Sequence, residues 1–324
     1  CASLQHLCDG LAHHLVREIT TMMGISVFPD DDQLFCGMIG THGVKMANAA
    51  VNECDVLFLV GARVGDRAVK TPLALEKTTK IIHIDIDPAE IGKNIGADLP
   101  LVGDAKLVLQ QMTELAKPMK HDEWIAHIKT LGGERKYVEP AKGTVNPRVF
   151  IDRLAKKMPA NVTVVADVGQ NQIWTCTEYK FRKEGRLLTS GGMGTMGYSV
   201  PAAIGAKMAD NSRATVAICG DGAFQMSFME LATAVQFGVD IKVVVMTNNR
   251  LGMVRELQTN GYHDRQTAVF LDGSPDFIKL AEAYGIPAMR VYDDDTMEKG
   301  VEMLAEHKGI CLVEVVVDKD MPTL

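Results

Sequence analysis

The chain has 324 residues, 47 % hydrophobic and 23 % charged, with a formal net charge of −7. That is about twice the length of an ordinary domain with the balance of a globular protein, which excludes a fibre or a disordered tail. An acidic chain without a Lys/Arg block is a poor nucleic-acid partner, and no apolar run approaches the ~20 residues of a membrane span. The start, Cys1-Ala2-Ser3-Leu4, has neither a charged n-region nor an initiating Met. The expectation is a piece of a longer chain.

Strand-like apolar runs alternate with helix-like stretches, which predicts α/β architecture with parallel sheets in two domains, over 1–140 and 148–324. The N-terminal stretch reads as one amphipathic helix with Leu4, Leu7, Leu11 and Leu15 on one face. His13-His14 within it is a surface pair, because adjacent helical positions do not converge on one ion. Residues 55–60 form a strand followed by the glycine-rich turn 61–67. Residues 81–86 form a second, ending where Asp87 caps and Pro88 opens a short helix. Leu107, Val108, Met112 and Leu115 give 106–115 a helical period. From Lys117 to Pro147, prolines, the Gly132-Gly133 pair and charges mark a linker carrying one helix around Trp124. Strands follow at 162–166, 215–219, 241–246 and 311–317. Seven cysteines without a CxxC pair read as reduced thiols of a cytoplasmic protein.

The densest chemistry lies in the second half. Residues 215–219 run into Gly220-Asp221-Gly222, a helix is expected over about 225–237, and strand 241–246 ends in Thr247-Asn248-Asn249. A strand–helix–strand crossover brings Asp221 and Asn248 to the same edge of a parallel sheet, where ligands of open α/β sheets bind. One carboxylate and one amide oxygen suit Mg²⁺, which keeps sites for phosphate and water. The helix after Gly222 would aim its free N–H groups at an anion there. A third strand end, Asp167-Val168-Gly169-Gln170-Asn171, adds small and amide residues.

Gly220-Asp221-Gly222 followed one crossover later by Asn248-Asn249 resembles the thiamine-diphosphate motif of the thiamine-dependent enzymes. The resemblance implies Mg²⁺ held by Asp221, Asn248 and the main-chain oxygen of Arg250. The segment from Ser190 to Ala203 (SGGMGTMGYSVPAA), with Leu251-Gly252-Met253-Val254, Pro275-Asp276-Phe277 and Gly169-Gln170, is similar to acetolactate (acetohydroxyacid) synthases. Asn171 stands where that family carries His. By position, Met226 would support the bent cofactor, although a core gap-filler is the plainer reading of a helical Met. The Gly194 carbonyl and the Met196 backbone would meet the aminopyrimidine. Gln170, Asn171, Gly222 and Ala223 would meet the diphosphate, and Gly169, Gly220, Leu251, Gly252 and Met253 complete the cofactor-binding set. The implied reaction is decarboxylation of pyruvate and ligation to a second 2-keto acid.

In the first half, residues 37–43, 61–67, 82–88 and 102–105 resemble the family's central domain, which holds FAD in biosynthetic members and lacks it in some relatives. Arg63, Arg67, Asp85 and Asp104 would line it, two guanidiniums for a pyrophosphate and two carboxylates for ribose or adenine. The residues alone equally fit a surface arginine pair and a bare helix cap, so FAD stays open. Val64-Gly65 stands where the family has Phe-Asp.

The family's activating Glu lies on an N-terminal pyrimidine-binding domain absent from this sequence, and Glu230 and Glu256 sit in the wrong segments to replace it. A C-terminal portion or a natural split subunit, silent alone, is the expectation. Leu257 stands where biosynthetic members carry Trp after Met-Val-x-Gln, which puts a 2-ketobutyrate preference in question. Implied partners are further copies, as homodimer or homotetramer, and a small regulatory subunit. Pyruvate oxidase, glyoxylate carboligase and a non-catalytic cofactor-binding module are the competing readings. A nicotinamide dehydrogenase is disfavoured because no G-x-G-x-x-G follows a first strand.

Overall fold

The computed structural model describes residues 18–117, 121–132 and 137–324. The expected N-terminal helix and His13-His14 lie outside the described residues. The chain divides into two units, Cys1–Arg135 and Lys136–Leu324.

In the first unit, β1 (Glu18–Thr20) and β2 (Phe35–Met38) pair in parallel. A second parallel sheet takes β3 (Val56–Val60), β4 (Lys80–Asp85) and β5 (Leu99–Val102) in that order. Ile81 of β4 packs with Val51, Leu59, Leu75 and Ile95 in one apolar cluster, and Ile84 with Leu109 in another. The helix expected around Trp124 spans Asp122–Leu131. No helix opens at Pro88. The Asp87 carboxylate instead accepts the Ala89 N–H at 2.9 Å, closing an Asx turn. Gly92, at φ 76°, then carries the chain through a left-handed turn.

The second unit is built on one sheet of β6 (Thr163–Ala166), β7 (Arg186–Thr189), β8 (Thr215–Gly220), β9 (Lys242–Thr247), β10 (Ala288–Val291) and β11 (Cys311–Val316). Their order is β10-β11-β9-β8-β6-β7, and every pair is parallel. Sheets covered on both faces read as continuous apolar runs, which is why Val216–Cys219 and Val243–Val245 are wholly buried. The chain leaves β6 for β7 on one side and returns to β8 on the other, so its direction of travel across the sheet reverses between β6 and β8. The crevice beyond the carboxyl ends at such a reversal is the ordinary ligand position of an open α/β sheet.

One expected element is corrected. Residues 225–237 are not a single helix: a turn of helix at Asp221–Phe224 ends before them, and they hold a 3-10 turn at Phe228–Glu230 and a helix at Leu231–Gln236. Ser227 leaves helical space at φ −144°, ψ 8°, so the helical ladder cannot pass it. Among the described residues no helix is long and apolar enough to cross a membrane.

Candidate functional site

Three neighbouring strand ends build one cleft. β6 delivers Val168 to Asn171, β8 delivers Gly220 to Ala223, and β9 delivers Asn248 and then Arg250 to Val254. Trp174, Met196 and Met246 complete its apolar lining.

At the end of β8, Asp221 is 2 % exposed. Its Oδ1 accepts the Gly222 N–H at 2.8 Å, and its Oδ2 accepts those of Asn248 at 3.1 Å and Asn249 at 2.6 Å. Burial pushes this carboxyl up to about 6, against the opposing pull of those N–H groups. Of the first N–H groups of this short helix, that of Gly222 is taken by the Asp221 side chain itself.

At the end of β9, Asn249 takes the left-handed conformation, φ 54°, which Asn tolerates better than most residues. The turn lets Asn248 Oδ1 accept the Arg250 N–H at 3.1 Å, while Asn248 Nδ2 donates to Gln170 Oε1 at 3.3 Å. The Arg250 guanidinium reaches Asp272 at 2.9 Å and stacks 4.6 Å from the centre of the Phe270 ring. Its main-chain carbonyl accepts no hydrogen bond among the described residues.

At the end of β6, Gly169 sits at φ 141°, and a Cβ there would fall 2.6 Å from Asn171 Oδ1. Asn171 Nδ2 donates to the carbonyls of Asp167 at 2.8 Å and Ile218 at 3.3 Å, tying β6 to β8. A Cβ on Gly222 would meet the Leu251 Cδ2 at 2.8 Å, so the Leu251 side chain packs into the space that the glycine leaves.

The structure thus collects Gly169, Gln170, Asn171, Gly220, Asp221, Gly222, Ala223, Asn248, Arg250, Leu251, Gly252, Met253 and Met196 around one cleft. Gly194 and Met226 are not among its lining residues. Gly194 is exposed at φ 65°. Met226 is 57 % exposed, and a Cβ on Gly197 would lie 3.0 Å from its Cβ. Arg63, Arg67, Asp85 and Asp104 belong to the other unit. They follow or end β3, β4 and β5, so they share the carboxyl edge of that small parallel sheet. Both arginines are exposed and form no ion pair among the described residues. Asp85 Oδ1 accepts the Asp87 N–H, and Asp104 Oδ1 caps the helix Ala105–Leu115 by accepting the Leu107 N–H at 3.1 Å.

Two supporting residues carry no sequence signature. Asp167, fully buried, accepts the N–H groups of Gly197 and Ser199 and so fixes the loop bearing Met196. Glu256 reaches Gln170 from the helix Gly252–Gly261. Both depend on contacts distant in sequence that no local pattern encodes.

The donor set fits a small hard cation beside a diphosphate. One carboxylate, one amide oxygen and one free carbonyl belong to residues that line one cleft, and few protein ligands leave room for phosphate oxygens. Among the described residues no group of three His, Cys, Asp or Glu could hold a metal ion by itself. The bound anion would therefore supply the remaining charge.

Comparison with known proteins bears on the same residues. The family model described as thiamine pyrophosphate enzyme, C-terminal TPP binding domain, matches residues 167–315, and the thiamine pyrophosphate enzyme central domain matches residues 11–112. The probable acetolactate synthase large subunit of Methanocaldococcus jannaschii is 40 % identical over 310 residues, covering 92 % of this chain and 52 % of that protein. The acetolactate synthase large subunit of Lactococcus lactis is 36 % identical over 303 residues, covering 93 % and 52 %. The acetolactate synthase isozyme 3 large subunit of Escherichia coli is 35 % identical over 312 residues, covering 93 % and 54 %. The chain spans about half the length of the curated relatives it matches.

Proposed function

The chain belongs to the thiamine pyrophosphate enzymes, and on that premise we propose that it is the central and C-terminal portion of an acetolactate synthase catalytic subunit. The reaction would be decarboxylation of pyruvate and ligation to a second 2-keto acid. One observation carries this reading: the cleft at the strand reversal presents Asp221, Asn248 and the free Arg250 carbonyl together, in a chain whose relatives are acetolactate synthase large subunits.

Thiamine diphosphate, when bound, supplies a carbon nucleophile and a sink for the charge left by CO₂. The chain's own residues hold and shield it. Asp221, Asn248 and the Arg250 carbonyl would take Mg²⁺ on the diphosphate. Gly169, Gly220 and Gly222 let the backbone approach phosphate oxygens, with Gln170, Asn171 and Ala223 beside them. Met196, Leu251 and Met253 exclude water, and Gly252 leaves space for the Gln170 amide. Gly194 and the exposed Met226 would bear on the aminopyrimidine and the bend of the cofactor. Leu257, exposed on the helix Gly252–Gly261, would border the acceptor keto acid.

The edge bearing Arg63, Arg67, Asp85 and Asp104 is proposed for a dinucleotide such as FAD, tested by flavin absorbance of the purified protein. The partners proposed are further copies of the same chain and a small regulatory subunit, as the relatives' large-subunit names suggest. A reducing cytoplasmic setting is proposed, and Cys54, Cys176, Cys219 and Cys311, which form no disulfide among the described residues, fit it.

The test is a thiamine diphosphate titration with and without Mg²⁺ on the wild type, Asp221→Ala and Asn248→Ala. Each variant should lose the Mg²⁺-dependent part of the affinity, since each removes one of very few protein oxygens. Metal-dependent binding that persists in both variants would remove the reading. Product analysis then separates acetolactate from the products of an oxidase or a glyoxylate carboligase.

A further inference from the structure

Two groups that can only accept hydrogen bonds converge on one atom of Gln170. Its Nε2 lies 3.1 Å from Glu256 Oε2 and 2.9 Å from the Met321 carbonyl, with Thr323 Oγ1 at 3.2 Å. An ionised carboxylate and a carbonyl have no proton to give, so this Gln170 atom must be the amide nitrogen. The Gln170 oxygen is thereby turned toward Asn248 and accepts from its Nδ2 at 3.3 Å. With its nitrogen engaged, Asn248 presents Oδ1 to the Arg250 N–H at 3.1 Å and keeps a second lone pair for the cleft. Gln170 is 5 % exposed, so it cannot turn to solvent for other partners. Gly252 closes its other side, where a Cβ would fall 1.9 Å from Gln170 Oε1.

We infer that Glu256 is a positioning residue for the cation site: through Gln170 it turns Asn248 so that oxygen, not NH₂, faces the cleft. This rests on the reading of Asn248 as a ligand of a divalent cation. A flipped Asn248 would aim two N–H donors at the cation. Glu256 stands where biosynthetic relatives carry Gln, and its carboxylate sets the direction of the relay more strictly than an amide, which can both donate and accept. Thr323 donates its N–H to the Glu256 carboxylate, at 3.1 Å to Oε2, and so holds that carboxylate in place.

The probe is inorganic pyrophosphate titrated into the chain at several Mg²⁺ concentrations, followed by calorimetry. Wild-type binding should strengthen with Mg²⁺. If it does not, the cation-site reading falls and the relay with it. Glu256→Ala should raise the Mg²⁺ requirement about tenfold, the usual scale for losing a partner that orients a metal ligand. Glu256→Gln keeps an acceptor oxygen and should recover most of that loss. In an Asn248→Asp background both side-chain oxygens are equivalent, so Glu256→Ala should cost no further affinity, and it frees Gln170 to turn its NH₂ toward the new carboxylate. An equal tenfold loss in both backgrounds would overturn the relay and leave Glu256 as an anchor for residues 321–323. Should Glu256→Ala fail to fold, Glu256→Met keeps the bulk without an acceptor and enters the same cycle.

Discussion

Asp221 is where burial and function pull in opposite directions. A carboxylate held in a closed cleft is raised from 3.8 to about 6 by burial, even with three N–H groups pointed at it. The native state thus holds this proton more tightly than the unfolded chain does. The resulting stabilisation is complete below the unfolded value and is lost as pH rises through about 6. A shift of this size corresponds to roughly 3 kcal/mol. The metal-free protein should therefore lose stability between pH 4 and pH 7 relative to an Asp221→Asn variant, which cannot titrate there. Denaturant midpoints of both proteins across that range measure the difference, and parallel curves would show that Asp221 ionises without strain. Cation binding needs the ionised carboxylate, so Mg²⁺ affinity should run the other way and weaken below pH 6. The same cation would relieve the cost of the buried charge.

The elements around that carboxylate are positioned by side chains at strand ends rather than by the strands alone. Asp167 Oδ1 accepts the Gly197 N–H at 3.0 Å and Oδ2 accepts that of Ser199 at 2.7 Å, clamping the loop that presents Met196 to the start of the helix Ser199–Ala209. Asp167→Ala would leave the buried Ser199 donor and the half-buried Gly197 donor unpaired, at a cost of about 3 kcal/mol. Amide exchange should accelerate at Gly197 and Ser199 while β9 stays protected. A uniform rise across the sheet would show that Asp167 supports the whole unit and not this loop. The sequence shows the central strands because burial on both faces makes them continuous Val/Ile runs, as at Val243–Val245. It hides β7 and β10, which are four residues long, lie at the sheet edges and carry Arg186 and Arg290. It also hides the helix Gln170–Glu178, whose nine residues are all buried although most are polar, because hydrogen bonds rather than an apolar period hold Gln170, Asn171, Gln172, Thr175 and Thr177 inside. The break at Ser227 escapes notice for the opposite reason, since apolar spacing continues through it. At the cleft, Asp221 and Asn248 are legible from their strand-end spacing, whereas the hydrogen bond from Gln170 to Met321 spans 151 positions and leaves no local trace.

At the scale of the whole molecule, each unit has parallel sheets and apolar clusters of its own, and the cleft draws every lining residue from Lys136–Leu324. A ligand that binds only the native cleft stabilises the unit that owns it, by about 2.7 kcal/mol at a free concentration one hundredfold above Kd. Pyrophosphate with Mg²⁺ should therefore slow amide exchange in residues 167–171, 220–223 and 248–254, and in the strands they terminate. Residues of β3, β4 and β5 should exchange at their ligand-free rates, because Arg63, Arg67, Asp85 and Asp104 stand on a different sheet edge. A dinucleotide would give the complementary pattern if that edge is a site of its own. Exchange followed by mass spectrometry resolves the two units in one experiment. Protection of β3–β5 by pyrophosphate alone would mean that binding energy is shared between the units, and the assignment of the diphosphate to the second unit's cleft would have to be abandoned.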